Sequence, residues 1–344
     1  MQQSETLTKV GRLPRAATRA AVLGLGVYVP SRVLTNAELE KMVDTTAEWI
    51  VTRTGIHTRR VVAPDQASSD LAIPASEAAL RDAGLSAADL DLIICATTTP
   101  DMVFPATACL VQNSIGAKRA GAFDLLAACS SFVYGVISAA QAIETGIARH
   151  VLVVGAEVLT RLVDWTDRTT CVLIGDGAGA VVMGPARNGG GVRASVVGAD
   201  GSASDILNLP SPGSRIPASA EAIAKGLHRA RMDGQSVFKL AVRTVPGAIH
   251  EVVLKAGMTL DDIAWVVPHQ ANQRIIEAIA RGVDVPLERF ISTIDHYGNT
   301  SSASIPLSLW EARSDGRLKD GDHIVLVAFG GGFTWAAVVL TWGP

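Results

Sequence analysis

The chain has 344 residues, 48% apolar and 18% charged side chains, 32 glycines and a net charge of −3. That length and apolar content suit two domains or one duplicated domain, and they exclude a disordered chain. The small negative charge excludes bulk electrostatic capture of nucleic acid, and no apolar stretch is long and glycine-free enough for a convincing membrane span.

Residues 1–19 carry Lys9, Arg12, Arg15 and Arg19 ahead of an apolar run at 20–29, an arrangement that imitates a secretion signal. Gly24 and Gly26, strand-like alternation and the lack of a cleavage site point instead to a flexible tail and then a first strand at 20–28. Thr35 or Asn36 caps a short helix, and residues 45–54, with Trp49 and Arg53, run into a turn at Gly55. Residues 69–83 are helical and stop at Gly84, and 90–96 form a strand buried on both faces. A helix at 105–115 and a strand at 122–126 follow.

That strand leads into Ala127-Ala128-Cys129-Ser130-Ser131-Phe132. Apolar residues then recur every three or four positions at Phe132, Val133, Val136, Ile137, Ala140 and Ile143, which marks a helix. Cys129 is therefore expected at or near a helix start, where free N–H groups and the macrodipole favour a thiolate. Its small neighbours leave room for a ligand. The alternative is a buried structural cysteine, the default for Cys95 and Cys171. Cys95, Cys109, Cys129 and Cys171 show neither CxxC nor metal-type spacing, so no disulfide framework or metal site is expected and a reducing cytoplasm suits the chain.

A strand at 151–155 comes next. Residues 171–174, the turn Gly175-Asp176-Gly177-Ala178-Gly179 and residues 180–183 read as strand, turn and strand. Residues 185–235 are rich in Gly, Ser, Pro and Ala and read as a connector of loops.

The second half then repeats the first. Residues 79–94 align with 252–267: each gives a helix, a Gly C-cap, a Ser/Thr-x-x-Asp turn and a buried strand. His150-Val151-Leu152-Val153-Val154 aligns with His323-Ile324-Val325-Leu326-Val327 at the same offset of 173. Two blocks at one offset predict a duplicated α/β unit, with halves at 20–187 and 188–344. Ligands of such sheets meet the carboxyl ends of the strands. Cys129, His269 (in Pro268-His269-Gln270-Ala271-Asn272) and Asn299 (in Tyr297-Gly298-Asn299-Thr300) all fall at such ends.

A thiolate needs a proton acceptor or electrostatic partner, a role open to His269, and His269 with Asn299 can donate to a developing negative oxygen. The glycines of Ala328-Phe329-Gly330-Gly331-Gly332-Phe333 let backbone N–H groups approach an anion. Each has a structural alternative: a capped strand end for His269, a turn residue for Asn299, a tight turn for the glycines. Gly24-x-Gly26 after the first strand also admits a dinucleotide-binding oxidoreductase, although the third glycine and the acidic partner are missing.

Together these segments, with Val43-Asp44-Thr45-Thr46-Ala47-Glu48-Trp49 and Asp167-Arg168, resemble the β-ketoacyl-[acyl-carrier-protein] synthase III family of the thiolase superfamily, from about residue 20 to the end. The resemblance implies a thiolase-like α/β fold of duplicated αβαβα layers with two mostly parallel mixed sheets. It implies decarboxylative condensation of an acyl-CoA with malonyl-[acyl carrier protein], no cofactor and a homodimer. By the same resemblance Cys129 carries the acyl group, His269 and Asn299 stabilise the enolate, and the N–H groups of Cys129 and Gly331 form an oxyanion hole. Trp49, Arg53 and Arg168 resemble CoA contacts, and Lys239 and Arg274 resemble carrier-protein contacts. Phe104, Phe238 and Phe329 resemble acyl-pocket residues, with Phe104 lent across the dimer interface.

Within the superfamily, a degradative thiolase has a second cysteine near the last glycine-rich turn, and elongating synthases have a second histidine where this chain has Asn299. A polyketide-type condensing enzyme or an acyltransferase with the same Cys-His-Asn set remains the alternative.

Overall fold

The computed structural model describes residues 19–343, and the expected tail lies outside them except for Arg19. β1 (Ala20–Tyr28) opens the chain. The short pair β2 (Arg32–Thr35) and β3 (Thr58–Val61) encloses α1 (Asn36–Leu39) and α2 (Ala47–Thr54). Thr35 and Glu38 cap α1 reciprocally. α3 (Ser68–Ala83), β4 (Leu92–Ala96), α4 (Thr107–Ser114), β5 (Gly121–Leu125), α5 (Ser131–Glu144), β6 (Val151–Glu157) and β7 (Gly177–Pro185) complete the first half.

The second half starts with β8 (Gly191–Ala199). The bridge pair β9 (Leu207–Asn208) and β10 (Arg231–Met232) then flanks α6 (Ala220–Ala224). α7 (Gly234–Lys255), β11 (Trp265–Pro268), α8 (Gln273–Val283), α9 (Ile294–Tyr297), α10 (Ser304–Ser314), β12 (His323–Gly330) and β13 (Thr334–Thr341) follow.

Two sheets carry the fold, one ordered β1-β7-β6-β4-β5 and the other β8-β13-β12-β11. At the repeat offset β4 corresponds to β11 and β6 to β12, so the two orders match strand for strand. The counterpart of β5 is reduced to one bridge between Val266 and Phe290. The repeated turns carry the same side-chain pairing, Ser86 with Asp89 and Thr259 with Asp262.

α5 and α10 fill the space between the sheets, and Phe132, Val136 and Leu309 share one core with Val153, Leu326 and Val338. α3 and α4 cover the outer face of the first sheet, and α7 and α8 cover that of the second. The result is five layers, αβαβα.

The sheets are mixed and mostly parallel-stranded, as expected: only β7 runs against β1, β4, β5 and β6 in one, and only β13 against β8, β11 and β12 in the other. The last two strands of each half run antiparallel to each other, and β12 and β13 are joined by only a short turn, which forces that direction. Two other expectations are corrected. Residues 171–174 form turns rather than a strand, and only Ile174 bridges, to Asn299. The strand begins instead at Gly177, because Asp176 points inward and accepts from the N–H groups of Val62 and Thr160, both at 2.9 Å.

The second correction concerns 185–235, which opens with the nine-residue strand β8. Its composition hid it, since Gly191, Gly198, Ala194 and Ala199 dilute the three valines that mark a strand. Gly24 and Gly26 are explained by packing: a Cβ on Gly24 would lie 2.4 Å from the Ala79 carbonyl of α3, so these glycines seat a helix.

Candidate active site

β5 delivers the chain to Ala127, and α5 starts at Ser131, so Cys129 stands just ahead of the first helical turn. Ala128 has φ 49°, a left-handed conformation that a small residue tolerates and a β-branched one resists. Hydrogen bonds hold this elbow. The Ala127 N–H donates to Ser131 Oγ at 2.6 Å, and its carbonyl accepts from Ser130 Oγ at 2.6 Å and Thr334 Oγ1 at 2.9 Å. Gly330, at the end of β12, closes the packing: a Cβ there would sit 2.5 Å from the Cys129 nitrogen.

The sulfur is not the low-pKa thiolate expected at a helix start. Burial pushes the Cys129 thiol up to about 12, outweighing a hydrogen bond from Ser301 and the cysteine's own N–H. At neutral pH the resting group is the thiol. The helix-end effect, typically under about 1 kcal/mol, is too small to reverse that desolvation.

His269 follows β11 and donates its backbone N–H to the Val327 carbonyl at 2.8 Å. Its ring is 2% exposed and meets Phe329 edge-on at 5.5 Å. Burial holds its pKa down to about 3, so the ring is neutral. Nδ1 lies 2.9 Å from Ser304 Oγ, which leaves Nε2 for the cavity. Ser304 Oγ also lies 2.8 Å from the Ser301 carbonyl and accepts from the Gln270 N–H at 3.3 Å. When Ser304 gives its proton to Nδ1, Nε2 carries the ring proton and donates into the cavity.

Asn299 is fixed on both sides of its main chain, to Leu173 at 2.8 Å and Gly175 at 3.0 Å. Its side-chain Oδ1 accepts from the Ser301 N–H at 2.9 Å. That contact assigns the amide, leaving the Nδ2 donor for the cavity that Asn299 lines. Cys129, His269 and Asn299 thus share one cavity of about 670 Å³, where a neutral thiol meets a neutral imidazole and an amide.

The same cavity reaches Trp49, Arg53, Phe238, Lys239 and Arg274 at its mouth. Arg168 stacks directly on Trp49, with Cζ 5.2 Å from the ring centroid, and donates to the Asp44 carbonyl at 2.9 Å. Arg53 Cζ lies 6.0 Å from the same ring. A planar ligand between Trp49 and Arg168 requires that pair to open. Phe329 is buried behind His269, and Gly331 lies beside Gly330 against the Leu207 carbonyl. Phe104 does not line the cavity; it is 82% exposed, its neighbour Val103 is exposed, and so are Phe123 of β5 and Leu126 after it.

Sequence reasoning gave no role to Ser301, Ser304 or Thr334. Ser301 was findable, because it lies at the repeat offset from Ala128 and shares its left-handed backbone, φ 47°. Among the described residues no group of three or more His, Cys, Asp or Glu is placed to hold a metal, and no helix is long and apolar enough to cross a membrane.

Family models for 3-oxoacyl-[acyl-carrier-protein] synthase III match residues 123–201, and those for its C-terminal part match 253–342. A β-ketoacyl-[acyl-carrier-protein] synthase III of Symbiobacterium thermophilum is 53% identical over 322 residues, covering 94% of this chain and 98% of the relative. The crystal structure of the Aquifex aeolicus synthase III superposes with TM-score 0.88 at 46% identity, covering 94% of this chain and all of that one. A priming β-ketosynthase from the R1128 polyketide pathway superposes equally well, TM-score 0.88, at 37% identity over 96% of this chain and 99% of its own.

Proposed function

We infer how this cavity works from the premise that the chain belongs to the 3-oxoacyl-[acyl-carrier-protein] synthase III family. It is an acyltransferase that condenses an acyl-CoA primer with malonyl-[acyl carrier protein], releasing CoA and CO2, and so initiates fatty-acid synthesis. The residue roles that follow are our reading of the site.

In the first half-reaction the Cys129 sulfur attacks the thioester carbonyl of acyl-CoA, and the acyl group moves to the cysteine as CoA leaves. The N–H groups of Cys129 and Gly331 receive the negative oxygen of the tetrahedral intermediate. Trp49, once Arg168 lifts from it, offers its face to the adenine, and Arg53 and Arg168 meet phosphate charge.

In the second half-reaction malonyl-[acyl carrier protein] enters the same cavity. Its carboxylate leaves as CO2, and the electron pair spreads onto the thioester oxygen. His269 Nε2–H and Asn299 Nδ2–H donate to that oxygen, and the carbanion attacks the acyl-Cys129 carbonyl. Neutral donors suit this step, because a charged imidazolium would tend to quench the carbanion by protonation. The observation that carries this reading is the Ser301 N–H on Asn299 Oδ1, which turns the amide donor inward beside a neutral histidine. The chemistry draws on protein donors and asks for no cofactor.

Lys239 and Arg274, exposed at the mouth, suit an acidic carrier protein. Phe238 and Phe329 line the acyl path, and Phe104 completes it from a second copy of the chain. Support for that homodimer comes from β5, an edge strand with exposed Phe123 in it and exposed Leu126 after it, and from the exposure of Phe104. We assign the two units of the duplication to 20–187 and 188–344. A reducing cytoplasm suits the four free thiols.

Acyl-CoA profiling with malonyl-[acyl carrier protein], with Cys129→Ala as control, tests the reading. A β-ketoacyl product and CO2 from the wild type are expected, with neither from the variant. Acyl label retained on the Cys129→Ala variant contradicts the nucleophile assignment.

A further inference from the structure

Arg59 of β3 is a cation with 0% exposure, and no ion pair among the described residues involves it. Burial holds its pKa down to about 10, so the guanidinium still carries its charge at neutral pH. Its donors go to neutral oxygens instead. Nη1 donates to Asn36 Oδ1 at 2.8 Å and to the Leu34 carbonyl at 3.4 Å. Nη2 donates to the Val172 carbonyl at 2.5 Å, and Nε has no partner among the described residues. A charge this deep among neutral partners is a poor way to gain stability, which directs attention to what the fork holds in place.

Val172 belongs to the turns at 171–175, and this stretch grips the main chain of Asn299. The Asn299 N–H donates to the Leu173 carbonyl at 2.8 Å, and the Gly175 N–H donates to the Asn299 carbonyl at 3.0 Å. The Arg59 stem backs the same corner. A Cβ on Gly175 would lie 3.1 Å from Arg59 Cβ, and one on Gly298, the residue before Asn299, would lie 3.2 Å from it. The chain just ahead of Arg59 is tied to α9: the His57 N–H donates to the Asp295 carbonyl at 2.7 Å and Thr58 Oγ1 to the His296 carbonyl at 3.1 Å. Asn36 holds the far end of the fork. Its Nδ2 donates to the Ile56 carbonyl at 2.8 Å, just past α2, the helix that brings Trp49 and Arg53 to the cavity.

We propose that Arg59 is a positioning residue that sets Asn299 for the malonyl half-reaction from outside the cavity. This rests on the role proposed for Asn299 above. Val172, Leu173 and Asn299 line the cavity and Arg59 does not, so it touches no reacting atom. Without the fork, the Val172 carbonyl loses its partner and the irregular stretch that carries Asn299 is free to shift. A planar guanidinium suits the task because it fixes several donors at set angles to separate segments. Cys129 does not depend on this pin, since Ser130, Ser131 and Thr334 hold its elbow.

The test separates the two half-reactions in Arg59→Met. CO2 release from malonyl-[acyl carrier protein] should fall by about 10- to 100-fold, the scale of a displacement approaching 1 Å, while acyl transfer from acyl-CoA to Cys129 stays within about twofold of wild type. Hydrogen-exchange mass spectrometry needs no substrate. It should show faster exchange at 298–303 in the variant and unchanged exchange at 127–134. Asn36→Ala removes one anchor and leaves the guanidinium, so it keeps the test open if Arg59→Met misfolds, with the same effects expected in weaker form. Equal loss of both half-reactions, undiminished CO2 release or unchanged exchange at 298–303 overturns the proposal. If the wild type releases no CO2 while the exchange behaves as expected, the malonyl reading falls and the placement of Asn299 by Arg59 stands.

Discussion

Ala128 and Ser301 hold the same left-handed backbone, φ 49° and 47°, at the 173-residue offset of the sequence repeat. Each elbow precedes a central helix, α5 at Ser131 and α10 at Ser304. Each is also wedged by a strand glycine, Gly330 at the end of β12 against Cys129 and Gly155 within β6 against Ser302. The duplication built two equivalent elbows. One presents Cys129, and the other presents Ser301, which meets Asn299 and Glu157.

Gly330→Ala tests how tightly the first elbow is set. The new Cβ would lie 2.5 Å from the Cys129 nitrogen and 2.9 Å from Ala128 Cβ, both backbone-proximal atoms with little freedom to give. A shift of about 1 Å at the nucleophile costs on the order of 100-fold in rate. Acyl transfer should fall by that much while the melting temperature falls by only a few degrees, as read by mass spectrometry and calorimetry.

His269 makes a pH prediction. Its folded pKa, about 3, lies below the ordinary 6.5 because of burial. Below about pH 6.5 the unfolded chain takes up a proton that the folded chain refuses, so this stability is full above 6.5 and is lost as pH falls toward 3. The slope for one such group is about 1.4 kcal/mol per pH unit. Chemical denaturation at pH 7 and pH 5 should show a larger loss for the wild type than for His269→Gln. Equal losses would mean the ring is protonated in the folded protein.

The duplicated α/β order was legible because helix periodicity, glycine stops and the Ser86/Asp89 and Thr259/Asp262 turns are local signals. Cys129, His269 and Asn299 were legible as residues at strand ends. The ionic state of Cys129 was not, since a thiol's desolvation depends on packing from both halves. Nor was β8, whose glycines and alanines gain strand character only by pairing with β13. The pairing of Arg168 with Trp49 was legible only through the resemblance, because their stacking is a tertiary contact.

Lys239 and Arg274 sit exposed at the cavity mouth. Reversing either charge to Glu should raise the carrier-protein KM about tenfold at low salt and leave primer acylation unchanged. The difference from wild type should shrink above about 0.3 M salt as screening shortens. A KM insensitive to both changes would remove these residues from the docking surface.

Phe104→Asp places a charge at an exposed phenylalanine, next to exposed Val103. Sedimentation velocity should show a dimer for the wild type and a monomer for the variant, with condensation lost on dissociation. A wild-type monomer with full activity would contradict the paired assembly and the lent phenylalanine.

The most direct test separates the two half-reactions at Asn299. The amide is held by Ser301 with its donor end toward the cavity and is assigned only to the malonyl step. In Asn299→Ala, acyl transfer from radiolabelled acyl-CoA to Cys129 should proceed within about twofold of wild type, while CO2 release from malonyl-[acyl carrier protein] falls by about 100-fold, the scale of one lost oxyanion donor. Equal loss of both steps, or undiminished decarboxylation, would contradict the division of labour between Cys129 and the His269–Asn299 pair.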